Sequence, residues 1–283
     1  MTCKTIVTVA SGTAEDAAVF AASTKLAAKF GAAVIVVPAF PDAAADYIGY
    51  GTALAPGKKA GAIEHVREAE KEVQGQVEAV GRSAAEREGL TWKGEGAGSF
   101  DVRLRALIPA NDLKALSPLA DITVFGGAAA TDVFLLSELF AAALLGMQAP
   151  VLIIKRGPFD VTRIAIAWDG SFQAARAVRA ALPLLQAASS VIVVTNSDDL
   201  AVERFDPKPI MRFLKDNGVS NAVSKSVRGD NIAASLLQAA RTEQCGLLVA
   251  GAYGRPRLME FALGGTTRAL VNAAEGPHLL LAH

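Results

Sequence analysis

Three glycines and two threonines near the carboxyl end carry the residue types and spacing best suited to chemistry. Gly251 and Gly254 follow the apolar run Leu247 to Ala250, and nine residues separate Gly254 from Gly264. Gly265, Thr266 and Thr267 then open a segment with apolar residues at Leu270, Val271 and Ala274. The first run reads as a buried strand and the second as a helix. Glycine admits positive φ and lets a ligand approach the main chain closely. Free N–H groups at a helix amino end hold anions, phosphate above all, and the two threonines add hydroxyl donors. Glycines at a strand end also serve as plain turn punctuation; the strand–turn–helix setting favours phosphate. The stretch contains neither a Walker loop nor a G-x-G-x-x-G fingerprint.

A second candidate is Asp169, which ends the apolar run Ile164 to Trp168 and precedes Gly170. Its carboxylate could accept a ribose hydroxyl or approach a magnesium ion beside phosphates; an Asp-Gly pair equally suits an ordinary turn. Arg255, Arg257 and Arg268 flank the glycine turn and could pair with phosphate oxygens, or lie solvated on the surface. Trp168 reads as a core aromatic, with stacking on a base as the alternative. Lys155 and Arg156 read as an ordinary strand end. Cys3 and Cys245 form no C-x-x-C, and His65, His278 and His283 lack zinc-type spacing. No catalytic group is identified.

The elements that must position these residues come from a chain of 283 residues, with 28 Lys+Arg against 28 Asp+Glu. That length suits one large or two ordinary domains. The balanced charge gives no reason to expect nucleic acid or an anionic membrane surface. The most apolar window, Phe134 to Ile154, is interrupted by Ser137, Glu138, Gln148 and Pro150, so no membrane span is expected. Two isolated cysteines and the absence of a signal-like segment fit a cytoplasmic protein.

In order, Thr5 to Ala10 reads as a strand, Ala17 to Phe30 as a helix with Thr13 as its cap, and Val34 to Val37 as a strand. Pro41 to Lys59 reads as a loop and Ala60 to Glu88 as a long charged helix. A weak strand near Leu90 to Gly96, a helix from Asp101 to Leu116 and a strand at Asp121 to Phe125 follow. A helix at Phe134 to Leu145 and a strand at Val151 to Ile154 close the first half. The pattern then restarts. Arg163 to Ser171 aligns with Thr5 to Thr13 at an offset of 163 − 5 = 158, and Val191 to Val194 with Val34 to Val37 at 191 − 34 = 157. Gly246 to Gly251 aligns with Asp121 to Gly126 at 246 − 121 = 125, and Gly276 to Leu281 with Ala149 to Ile154 at 276 − 149 = 127. The first copy therefore holds 157 − 125 = 32 extra residues between its second and fourth strands. This is duplication of a domain-sized unit, with halves at 1–156 and 161–283 and a short linker at Gly157 to Asp160. Alternating strands and helices predict an α/β protein of two tandem, doubly wound, mainly parallel five-stranded sheets. Ligands in such sheets sit beyond the carboxyl ends of the strands, near a switch in strand order.

The Gly251–Thr266 stretch resembles the nucleotide-binding motif of the universal stress protein family, G-x2-G-x9-G-[S/T]. Gly251, Gly254 and Gly264 match its glycines; Gly265 stands where the family has Ser or Thr, with Thr266 one residue later. Strand order and duplication extend the resemblance over nearly the whole chain as two tandem copies of the family's adenine nucleotide alpha hydrolase-like fold. It implies one adenine nucleotide, ATP with ADP or AMP as alternatives, together with magnesium. Asp169 and Gly170 would face the nucleotide, with Asp169 near the magnesium. Main-chain groups around Thr195 and Asn196 would meet the adenine. Gly251, Gly254, Arg255, Gly264, Gly265, Thr266 and Thr267 would surround the phosphates. It further implies that the halves pair through their last strands as an intramolecular pseudo-dimer, with a homo-oligomer as a further possibility. The implied role is an ATP-binding regulatory or stress-response module, at most a slow ATPase relying on magnesium and main-chain positioning.

The first half lacks these features. Ser11 replaces the aspartate, Gly126 survives, and the other two glycines map near Ala129 and Ser137, with Thr131 to Leu136 bulky. It is expected to be a fold-only domain. Two rivals stand beside the main reading. One is a dimerising interaction protein that has lost its nucleotide. The other is an ATP-pyrophosphatase-like enzyme, whose S-G-G-x-D-S motif is matched neither by Ser11 to Ala14 nor by Asp169 to Phe172.

Overall fold

A computed structural model describes residues 3–39, 56–102, 109–130, 134–196, 206–252, 265–273 and 275–283. Its strands are β1 (Thr5–Ala10), β2 (Ala33–Pro38), β3 (Thr91–Trp92), β4 (Ser99–Val102), β5 (Ile122–Gly126) and β6 (Val151–Ile154) in the first half. The second half supplies β7 (Arg163–Ala167), β8 (Ser190–Asn196), β9 (Ala222–Val227), β10 (Leu247–Gly251) and β11 (His278–Ala282). The α-helices are α1 (Asp16–Phe30), α2 (Pro56–Arg87), α3 (Pro109–Leu116), α4 (Phe134–Ala141), α5 (Phe172–Gln186), α6 (Lys208–Asp216), α7 (Ile232–Thr242) and α8 (Gly265–Asn272).

All eleven strands form one sheet in the order β3-β4-β2-β1-β5-β6-β11-β10-β7-β8-β9. Within each half the pairing is parallel. Among the described strands only β6 and β11 run antiparallel to each other, with Leu280 opposite Leu152. The two expected five-stranded sheets are thus halves of one sheet, joined through the last strand of each. Register repeats with the sequence offsets: Ile6 pairs with Ile122 in the first half as Ile164 pairs with Leu247 in the second. The last strand of the second half sits one residue further along than the alignment at 127 implies, since Thr123 faces Val151 whereas Leu248 faces Leu279.

Both faces are covered, which is why the central strands read as unbroken apolar runs. Alternate residues of β7, β10 and β11 (Ile164, Ile166, Leu247, Val249, Leu280) join a core with α1, α2, α5 and α6. The intervening ones (Ala165, Leu248, Ala250, Leu279, Leu281) join a second core with α3, α4, α7 and α8.

Three expectations are corrected. The third core strand of the first half is Ser99–Val102, not the stretch before Gly96, and the following helix begins at Pro109 rather than Asp101. Gly96 and Gly98, both at positive φ, turn the chain so that Phe100 returns into the core, while Thr91–Trp92 is left as an added edge strand. The segment that carries the 32 surplus residues includes α2, which begins at Pro56, inside the expected loop; residues 41–55 of that loop lie outside the described set. Helix α2 packs on α1 and on β3 and β4, and Gly81 admits the Phe100 ring, whose edge lies 3.0 Å from where a Cβ would stand. Lastly, Thr13 does not cap α1. Asp16 turns back instead, accepting from the Ser11 and Gly12 N–H groups at 2.8 and 2.9 Å. Burial raises the pKa of that carboxyl against these hydrogen bonds.

Candidate functional site

In the second half β7 is followed in sequence by β8 on one side of it, while β10 lies on the other. The strand order therefore reverses between β7 and β10, which opens a crevice at their carboxyl ends. Ala167 is level with Ala250 and with Val194, so Asp169, Thr195, Asn196 and Gly251 emerge at the same edge of the sheet. Helix α8 begins at Gly265, and the first N–H groups of a helix have no partner within it. Gly254, Arg255 and Gly264, like Arg257, lie outside the described residues.

Each described candidate has a local setting. Asp169 is exposed, and its Oδ1 accepts the Ser171 N–H at 2.9 Å across Gly170, which has φ 67°. That is the turn geometry expected of Asp-Gly, and it leaves the carboxylate at the mouth of the crevice. Ser171 caps α5 by accepting the Ala174 N–H at 3.1 Å. Gly251 is glycine for a packing reason: a Cβ there would lie 2.5 Å from the Ala174 nitrogen. The missing side chain seats the first turn of α5 against the end of β10, locking the two walls of the crevice together. After it, Ala252 donates to the Ala282 carbonyl at 2.8 Å, and His283 meets the Ala252 carbonyl at 3.0 Å. Thr195 and Asn196 are buried, and the Asn196 amide donates to the Gly229 carbonyl at 3.1 Å, tying β8 to the turn before α7. Thr267 is buried, Thr266 partly so, and Gly265 and Arg268 are exposed. Among the described residues nothing lies within 4 Å of where a Gly265 Cβ would stand. Trp168 is partly buried and packs on the core beneath; its ring N–H is buried and has no partner among the described residues.

These groups suit a phosphorylated ligand: helix N–H groups and hydroxyls at one wall, a carboxylate at the other, and a main-chain edge between. Among the described residues no cluster of three His, Cys, Asp or Glu could hold a metal ion. A magnesium ion here would be held mainly by phosphate oxygens, with Asp169 as its protein ligand.

The corresponding edge of the first half is filled from within. Glu15 accepts the Ala128 N–H through Oε2 at 3.1 Å, and the same oxygen lies 2.6 Å from where a Gly126 Cβ would stand. Ala128 corresponds to position 128 + 125 = 253, within the glycine turn of the second half. A carboxylate of the chain itself thus occupies this strand-end turn of the first half; position 253 lies outside the described residues. Ser11, in place of an aspartate, binds Asp16 instead. Residues 131–133, expected to crowd this turn, lie outside the described set.

Lys155 overturns its reading as an ordinary strand end. It is 5% exposed, and its ammonium donates to the Leu270 and Ala273 carbonyls at 2.5 and 2.8 Å, at the carboxyl end of α8. Burial, with Arg241 nearby, pulls its pKa down to about 8. Its main-chain N–H donates to His278 Nδ1 at 3.0 Å, leaving Nε2 to donate to the Pro158 carbonyl at 3.1 Å. Burial lowers the His278 pKa. Neither role had a signal in the sequence, because a lysine after an apolar run ordinarily faces water.

Comparison with known proteins bears on the fold. Residues 161–281 match the model of the universal stress protein family. A universal stress protein structure from Archaeoglobus fulgidus DSM 4304 superposes with a TM-score of 0.65 at 15% identity, covering 99% of this chain and 96% of that one. A Pseudomonas aeruginosa UCBPP-PA14 structure carrying the same family name gives 0.56 at 12% identity, covering 99% and 93%. At such identities the likenesses establish the fold over the whole chain. No curated protein matches the sequence. Among the described residues, no helix is long and apolar enough to cross a membrane.

Proposed function

We propose, from the match of residues 161–281 to the universal stress protein family, that this half binds one adenine nucleotide, ATP with magnesium, and acts as a regulatory or stress-response module. The observation that carries the reading is the crevice between β7 and β10, where the Asp169 turn and the amino end of α8 flank a glycine-seated strand end. Gly251, Gly254, Gly264, Gly265, Thr266, Thr267 and Arg255 would surround the phosphates, Asp169 and Gly170 would face the ribose and magnesium, and the strand end at Thr195 and Asn196 would meet the base. ADP or AMP would fit the same groups. Any hydrolysis would be slow, because no general base or cationic finger is assigned. The first half, residues 1–156, is a domain of the same fold that binds no nucleotide, with Glu15 in the place of an anion. It pairs with the second half, residues 161–283, as a built-in pseudo-dimer in the cytoplasm, with association of two whole chains left as an added level.

The test is nucleotide content. Denaturing the purified protein and running the supernatant on ion exchange is expected to release one ATP or its product per chain. Gly254→Val is expected to abolish Mg-ATP binding while leaving circular dichroism unchanged, since a branched Cβ would stand where phosphate must approach. Two nucleotides per chain would overturn the silent first half. A chain that is empty and does not bind added Mg-ATP would favour an interaction module that has lost its ligand.

A further inference from the structure

A buried ammonium from the first half sits at the far end of the helix that begins the candidate phosphate turn. Helix α8 has eight residues, Gly265–Asn272. Its last carbonyls lack helical partners and carry the negative end of the helix dipole. Lys155, which follows β6, meets two of these groups at Leu270 and Ala273. The lysine is itself fixed, because its N–H donates to His278 on the neighbouring β11 and His278 is held in turn by Pro158. Arg241, the other cation near this ammonium, is directed to the Glu275 carbonyl at 3.0 Å. A chain of hydrogen bonds therefore runs from the junction of the halves to the carboxyl end of α8.

We propose that Lys155 is a positioning residue for the nucleotide site: the first half, through this lysine, anchors the carboxyl end of α8 and thereby holds its amino end in place for the phosphates. The inference rests on the nucleotide reading above for its ligand, and on the hydrogen bonds alone for its anchor. Its physical basis is that a short helix is marginal on its own and takes its order from its ends and its packing. Cores on one side (Leu270, Val271) and the ammonium at the end fix α8 in rotation and along its axis. Without the cation, two carbonyls lose their partner in a buried setting and the end turn is free to fray. The first half, which offers no nucleotide site of its own in this reading, then contributes to the site of the other.

The experiment compares the full chain with Lys155→Met, a neutral side chain of similar length, and Lys155→Gln, which keeps a neutral amide donor. Amide hydrogen exchange is followed without nucleotide, and Mg-ATP affinity by calorimetry. In Lys155→Met, exchange of the α8 amides is expected to rise about ten-fold while those of α5 stay unchanged, which marks a local opening rather than general loss of stability. Mg-ATP affinity is expected to fall about five-fold or more, with Lys155→Gln between Met and the parent in both readouts. Unchanged α8 exchange, or unchanged affinity in a parent that binds nucleotide, would overturn the proposal. So would a uniform rise of exchange in all helices, or loss of folding in both variants, since either makes the lysine a general structural residue. If the parent binds no Mg-ATP, the nucleotide reading fails by itself, and a local rise in α8 exchange would still support the anchor.

Discussion

Gly251 and Gly265 look alike in the sequence, and the structure assigns them opposite reasons. A Cβ on Gly251 would press into the main chain of α5 at Ala174, so the residue is glycine for the sake of a helix–strand contact. Among the described residues nothing lies within 4 Å of where a Gly265 Cβ would stand, and its φ is not positive. It is the position at which the chain departs from the family motif. Two substitutions separate these roles. Gly251→Ala is expected to destabilise the protein by about 1–3 kcal/mol, because the backbone of α5 cannot yield as a side chain would. Gly265→Ser is expected to leave the thermal midpoint unchanged and to tighten Mg-ATP binding about three-fold by supplying a hydroxyl at the amino end of α8. Thermal melts and calorimetry read both. A stable Gly251→Ala, or a Gly265→Ser that unfolds, would reverse the assignment.

Elements place these residues, and their ends decide where. Helices α5 and α7 start from side-chain caps, Ser171 on the Ala174 N–H and Asn231 on the Ala234 N–H, both at 3.1 Å. Ser171 also donates its N–H to Asp169, so the cap and the candidate carboxylate share one turn. Ser171→Ala is expected to cost about 1 kcal/mol of stability by leaving the Ala174 N–H unpaired, while Asp169 keeps its bond to the main chain. A thermal or urea midpoint that does not fall would show the cap to be ornamental. This level also explains what could be read from the residues alone. Central strands such as Ile164–Ala167 and Leu247–Ala250 declare themselves because burial on two faces demands apolar runs, and the offsets between copies follow from them. The strand Ser99–Val102 was missed because Asp101 interrupts the run and the two preceding glycines look like loop. Strand–helix alternation predicts a switch in strand order, and β7 and β10 show it, whereas the settings of Glu15 and Lys155 have no such signal. Their partners, Ala128 and Leu270, are main-chain groups more than a hundred residues away, and a main-chain partner leaves no mark on residue type.

The molecule as a whole turns on one antiparallel contact. Ten strands lie in two parallel sets of five with one added edge strand, and β6 against β11 makes them continuous. Val151, Leu152 and Ile153 face Leu281, Leu280 and Leu279 there, all fully buried. A strand with that composition, left unpaired, is an open edge that will seek a partner. The segment 155–162, between the end of β6 and the start of β7, is short, so the partner edge within the chain is always at high effective concentration. The pairing of β6 with β11 thus covers within one chain an edge that would otherwise be open, and it places Lys155 beside α8. Cutting the chain at this segment should undo both consequences. The isolated second half, residues 161–283, is expected to associate through β11 into a concentration-dependent dimer, whereas the mass of the full chain at the same concentrations stays constant in light scattering. Amide exchange at Leu279 and Leu281, whose N–H groups alternate with that of His278 and so face away from β10, should be slow in that dimer and fast on dilution, whereas Leu280 stays protected by β10. A second half that stays monomeric with β11 protected would mean that its edge is covered in some other way, and the seam would then be a consequence of linkage rather than of strand chemistry.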